Sequence, residues 1–138
     1  MNPIEELKRR LEQLPDARYE SDGNSISVLP NNAHGFNVTL MQNSATSYTV
    51  FFNGWHEDFE DVEETVNVFG LGLSNECRLK EYRRGNFAYK WTVETLEDGQ
   101  WLEHSTTALL LFPFWRKREV HFLQNKLLTP QGSDSSPY

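Results

Sequence analysis

FAYKWTVETLEDGQWLEHSTTALLLF, residues 87–112, decides how the second half of the chain folds. At its centre Asp98-Gly99 lies between two extended runs. This pair is favoured in a two-residue type I′ hairpin turn, where both residues must take positive φ. Pairing Glu97 with Gln100 sets Phe87 against Leu110, Tyr89 against Ala108, Trp91 against Thr106, Val93 against His104 and Thr95 against Leu102 on one face. The other face pairs Ala88 with Leu109, Lys90 with Thr107, Thr92 with Ser105 and Glu94 with Glu103, the last a like-charge pair that weighs mildly against this register. Residues 108–112 are apolar on both faces, which predicts a central strand segment, and Pro113 ends or bulges its ladder.

Outward from the hairpin, Cys77 to Tyr82 reads as a strand and Arg83-Arg84-Gly85-Asn86 as a turn. Arg116-Lys117-Arg118 reads as a charged turn before a last strand near Val120 to Gln124. From Asp58 the apolar spacing becomes helical (Phe59, Val62, Val66, Phe69, Leu73), and the acids between Glu57 and Glu64 suit the positive end of a helix dipole. Ser25–Leu29, Phe36–Gln42 and Ser47–Asn53 are strand candidates joined by turn-forming connections, as in a meander. Asp16 to Asn24 is polar and loop-like. Asn2-Pro3-Ile4-Glu5 has the form of an N-cap, a proline at the first helical position and a capping box, followed by an apolar stripe at Ile4, Leu7, Leu11 and Leu14. The expected fold is therefore α+β: a two-layer sandwich with a mostly antiparallel sheet of about seven strands and two amphipathic helices on one face, in the order α-β-β-β-α-β-β-β-β. It forms a single domain over 1–128, with a disordered tail over 129–138.

At 138 residues the chain can bury a core without metals or disulfides, and its single cysteine, Cys77, excludes cysteine-rich scaffolds. No apolar run approaches the ~20 residues of a membrane helix, and Met1-Asn2-Pro3-Ile4-Glu5-Glu6 does not resemble a signal peptide, so a cytoplasmic protein without membrane association is expected. The net charge of -7 is unevenly spread: residues 1–75 hold 4 bases and 12 acids, residues 76–126 hold 9 and 7. That balance disfavours nucleic acid, whose affinity for proteins comes from Lys and Arg on phosphates. Nine Phe, five Tyr and four Trp supply either a bulky core or an aromatic-lined cavity.

Catalytic motifs are approached but not completed. His56-Glu57-Asp58-Phe59-Glu60 lacks the second histidine of a zinc-protease helix. His104-Ser105-Thr106 is half of a paired histidine-x-threonine unit, and no second half occurs. Gly70-Leu71-Gly72 follows a helix, where a dinucleotide fingerprint must follow a strand. No metal or cofactor is expected. The hairpin register makes Tyr89, Trp91, His104 and Thr106 a polar spot on an aromatic wall, the candidate small-ligand site. Trp55, His56 and Glu60 at the acidic helix start, with Arg83, Arg84, Trp101, Trp115, Arg116 and Arg118 at the sheet ends, are the candidate partner-binding residues, and Trp55 and Trp101 are expected to be more exposed than Trp91. The function expected is a small non-catalytic interaction module that engages a protein partner or a small anionic or aromatic ligand. The alternative is a ligand-binding or enzymatic domain with an aromatic-lined cavity between sheet and helices.

Overall fold

The computed structural model describes residues 2–128. Helix α1 (Pro3–Leu11) starts as its sequence requires: Asn2 Oδ1 accepts from the backbone N–H of Ile4 at 2.9 Å and of Glu5 at 3.3 Å, and Pro3, Ile4, Leu7 and Leu11 are buried. A five-stranded antiparallel meander follows, β1 (Arg18–Ser21), β2 (Ser25–Leu29), β3 (Val38–Ser44), β4 (Ser47–Phe52) and β5 (Trp55–Phe59), paired in that spatial order. Helix α2 (Val62–Gly72) leads to a second antiparallel sheet of β6 (Cys77–Arg84), β7 (Phe87–Glu97), β8 (Gln100–Ala108) and β9 (Arg118–Leu123), in the order β8-β7-β6-β9.

The α+β class and the antiparallel pairing agree with the expectation, whereas one sheet of about seven strands is corrected to two sheets with nine strands among the described residues. The first additional strand, β1, lies in the polar stretch expected to be loop; it is an edge strand on which only Tyr19 is partly buried, so no apolar alternation announces it. The second, β5, replaces the expected lead-in to the acidic helix. Trp55 and Phe59 are four apart, a spacing shared by one face of a strand and one face of a helix, and pairing of Phe52 with Trp55 through Tyr48 with Phe59 settles it as strand. Asp61 then caps α2, its side chain accepting from Glu64 N–H at 3.2 Å. Only Glu63 and Glu64 of the acidic run occupy the first helical turn, so His56 and Glu60 never share a helix face. The expected tail over 129–138 lies outside the described residues.

Side chains of both helices and both sheets meet in one buried cluster, with Leu7, Leu40, Phe52, Trp55, Phe69, Leu79, Trp91 and Val93 among its members. On the second sheet the inward positions are Cys77, Leu79, Glu81, Trp91 and Val93, all buried. Tyr82 and Tyr89, though buried, are not members of that cluster; they belong to the sheet's outer side.

The hairpin turn is as expected: Asp98 has φ 52° and Gly99 φ 78°, and Glu97, Leu96, Thr95 and Glu94 pair with Gln100, Trp101, Leu102 and Glu103. Beyond that a β-bulge inserts His104, so that Val93 pairs with Ser105, Thr92 with Thr106 and Trp91 with Thr107. The expected pairing of Trp91 with Thr106 is thus displaced by one residue, and in a period-two strand one residue changes the face. A second irregularity pairs Tyr82 with Lys90 and Arg83 with Ala88, leaving Tyr89 as the extra residue of β7. Residues 108–112 form no central strand. β8 is an edge strand that ends at Ala108; Leu109 N–H donates to Tyr89 carbonyl at 2.8 Å, and residues 109–117 leave the sheet as a loop.

Candidate functional site

The four side chains of the expected small-ligand site do not share a surface. Trp91 points into the core, where its indole N–H donates to Glu81 Oε1 at 2.8 Å and its ring leaves no room for a Cβ on Gly54. Thr106 lies on the other face, its hydroxyl 2.8 Å from that of Thr92. Tyr89, freed by its bulge, stacks on Phe112 with ring centroids 4.2 Å apart. His104 is exposed, and its Nε2 is 2.9 Å from Glu97 Oε2. The Thr95 hydroxyl, first, and His104, second, hold the Glu97 carboxyl below its usual range. His104 instead stands with Glu57, Glu76 and Glu97 around a cleft of about 410 Å3 floored by Phe52, Trp55, Val68, Leu71 and Val93.

The partner-binding candidates divide as well. Trp55 is only 2% exposed, against 7% for Trp91, and donates its indole N–H to Ser105 Oγ at 3.1 Å; the expectation that it is the more exposed of the two is overturned, because it fills the seam between β5 and β8. His56 and Glu60 are exposed but stand on β5 and in the linker after it. Trp101 is half-buried beneath the Arg78 guanidinium, 4.4 Å from the ring centroid. Arg83 is engaged by Glu81, a buried carboxylate that also accepts from Trp91 and Asn53.

Arg84, Trp115, Arg116 and Arg118, in contrast, come together at one end of the second sheet. Arg84 is in register with Arg118, its guanidinium donates to the Arg116 carbonyl at 3.4 Å, and Gly85 N–H donates to the Lys117 carbonyl at 2.9 Å. Gly85, with φ 63°, permits this turn, and the Arg116 stem packs 3.0 Å from where a Cβ would stand. The outer side of the sheet continues the pattern as a ladder of cations and rings: Arg78 lies over Trp101 and Phe122, and Lys80, Lys90 and Arg118 lie over Tyr82.

Sequence reasoning missed the loop that these residues frame. Leu110 and Leu111 are 95% and 87% exposed, Phe114 69% and Trp115 72%, in a molecule whose other large apolar side chains are mostly buried. Phe112 on Tyr89 fastens one limb of the loop, Arg116 N–H donating to the Pro113 carbonyl closes a turn over residues 113–116, and Phe114 and Trp115 meet edge to face at 5.4 Å. Among the described residues Arg9, Arg10, Arg78, Lys80 and Arg83 are each within 4 Å of a carboxylate; of the eight cations that form no ion pair, Arg84, Lys90, Arg116, Lys117 and Arg118 are around the loop, and Lys8, Arg18 and Lys126 lie elsewhere. Arg84 Nε is buried with no hydrogen-bond partner. The arrangement exposes aliphatic and aromatic surface rimmed by uncompensated positive charge. It suits an apolar, anionic counter-surface.

Reactive groups are scarce by comparison. Burial pushes the Cys77 thiol up to about 12, which keeps it protonated and unreactive in the native state. Among the described residues no three His, Cys, Asp or Glu side chains are grouped so as to hold a metal ion. No family model, no curated protein and no solved structure matches the chain.

Proposed function

We propose that this chain is a non-catalytic cytoplasmic interaction module that docks through the loop between β8 and β9 and its cationic surround. One observation carries the proposal: Leu110 and Leu111 are almost wholly exposed beside five cations that, among the described residues, have no carboxylate partner. Exposed aliphatic side chains contribute almost nothing to folding and promote aggregation, so their presence in a structured loop supports a role in contact. The charge pattern supports the same surface. In an acidic protein five uncompensated cations gather at one place, which gives both attraction to an acidic counter-surface and orientation toward it.

The test is photocrosslinking in living cells, with benzoylphenylalanine in place of Leu110 and, as a control, in place of exposed Glu63 on α2. Adducts specific to position 110 that disappear in an R116Q/K117Q/R118Q background are expected. Absence of both protein and lipid adducts at 110, or the same adducts from 63, overturns the proposal.

A second reading, small-ligand binding, is favoured by the cleft between β5, α2 and the β7–β8 hairpin, whose 410 Å3 falls in the range of small-molecule pockets and whose apolar floor has His104 at its mouth. Native mass spectrometry of the freshly purified protein tests it. A retained small molecule that is lost in a Val93→Trp variant supports this reading; a bare chain counts against it.

A further inference from the structure

We infer that the loop between β8 and β9 is an anchor for the surface of an anionic lipid bilayer. The inference rests on the docking role proposed above and names its counter-surface. No helix of the described residues is long and apolar enough to cross a membrane, so the mode at issue is lying on a membrane, not spanning it.

Three observations favour a bilayer over a protein partner. The first is shape. A Leu110 side chain that is 95% exposed touches almost nothing of its own molecule, so the tip is convex and presents no wall or groove of its own. A protein must supply a fitted cavity to bury such a tip, whereas the acyl region of a bilayer accepts any apolar protrusion. The second is composition along the loop. Leu110 and Leu111 project between Leu109 and Phe112, which are both held at Tyr89, and exposed Phe114 and Trp115 and then Arg116-Lys117-Arg118 follow. Aliphatic, aromatic and basic side chains are the three groups that a membrane interface takes up in its hydrocarbon, at its headgroup boundary and at its phosphates. The third is charge. Arg84, Lys90, Arg116, Lys117 and Arg118 pair with no carboxylate among the described residues and surround the base of the loop, while residues 1–75 carry 12 acids against 4 bases. A negative surface attracts the loop end and repels the acidic half, so the molecule approaches with the loop foremost. The cytoplasmic leaflet, rich in anionic lipid, has the matching chemistry.

The experiment is vesicle flotation of the full chain with phosphatidylcholine vesicles, with and without phosphatidylserine. The variants are Leu110→Ser/Leu111→Ser and R116Q/K117Q/R118Q, each shown by circular dichroism to be folded. Binding to the mixed vesicles is expected, falling steeply with added salt and on neutral vesicles. Removing three charges is expected to weaken it about a hundredfold, and the double leucine change roughly tenfold or more. No flotation with the mixed vesicles, or equal flotation of wild type and the leucine variant, overturns the bilayer inference. Light scattering on the same samples separates lipid binding from self-association. If wild type does not float but self-associates, and the leucine variant is monomeric, the surface docks a second copy; the bilayer inference then falls and the docking role stands. Protein adducts alone from position 110 have the same consequence, with another protein as partner. If neither lipid nor adducts are captured, both fall.

Discussion

Replacing Leu110 and Leu111 by serine removes two of the chain's most apolar side chains, yet the structure requires it to leave the fold untouched. Full burial of a leucine side chain is worth about 1.5–3 kcal/mol, close to proportional to the apolar area withdrawn from water. Leu110 is 95% exposed and Leu111 87%, so only about a twentieth and an eighth of that is at stake, about 0.1 and 0.3 kcal/mol. Together the two changes cost less than about 0.5 kcal/mol, which moves the melting temperature of a domain this size by roughly 2 °C at most. Leu79→Ala is the comparison: the side chain is 0% exposed and its loss leaves a cavity, at a cost of about 2–5 kcal/mol. Urea unfolding followed by tryptophan fluorescence measures both, with the slope of the transition checked for constancy. The double serine variant is also expected to be more soluble than wild type and to bind less of a hydrophobic dye. A loss beyond about 1.5 kcal/mol means that the leucines are packed in the fold and are not displayed for contact.

Four further outcomes follow from the core and the surface. Glu81→Ala strands the Trp91 indole N–H and the Asn53 amide and removes the partner of Arg83; because that guanidinium is about a third exposed, a loss of about 2 kcal/mol is expected in urea unfolding, and less for Glu81→Gln, which keeps an acceptor. Gly54→Ala drives a Cβ into the Trp91 ring, and calorimetry is expected to show a loss of about 1–3 kcal/mol. The Cys77 thiol, pushed up to about 12 and buried, is expected to react with a disulfide reagent at pH 8 only as fast as the protein opens; a burst of labelling in the native state contradicts this. The Glu6 carboxyl is held below its usual range by Arg10 and then Arg9, and a group depressed in the folded state stabilises above its unfolded pKa and loses that contribution as pH falls through the folded value. Glu6→Gln is therefore expected to flatten the acid side of the stability profile slightly and to leave neutral-to-alkaline pH dependence unchanged, as followed by thermal melts across pH.

The hairpin shows how far a local signal reaches. Asp98-Gly99 dictates the turn and the four pairs beside it, because two positive φ angles leave the strands a single way to start. It says nothing about His104, which bulges where Val93 must turn toward the core and Glu94 toward Arg78; the bulge answers to packing across the sheet, not to residues near it in sequence. One inserted residue is enough to move Thr106 to the other face and to dissolve the cluster with Trp91. The same blindness applies to β5, where a spacing of four fits both periods, and to β1, which has too little apolar surface to be seen. Residues 108–112 differ from expectation for another reason. Their hydrophobicity is plain in the sequence, but transfer free energy records a side chain's preference for leaving water and not whether its own fold, or something else, supplies the apolar surroundings. Of the partner-binding candidates, Arg84, Trp115, Arg116 and Arg118 are legible because the β6–β7 turn and the β8–β9 connection, each between antiparallel strands, lie at the same end of the sheet; Trp55 is not, since its burial depends on β5, a strand without a distinctive pattern.

Amide hydrogen exchange of the full chain, followed by mass spectrometry with and without phosphatidylserine-containing vesicles, bears most sharply on the loop as a membrane anchor. Fast exchange is predicted over residues 109–117 in the free protein, with vesicles slowing exchange there and in the adjoining starts of β7 and β9 while α2 and the first sheet stay unchanged. Exchange over 109–117 that is already slow without lipid, or protection by vesicles that falls on α2 or the first sheet instead, contradicts it.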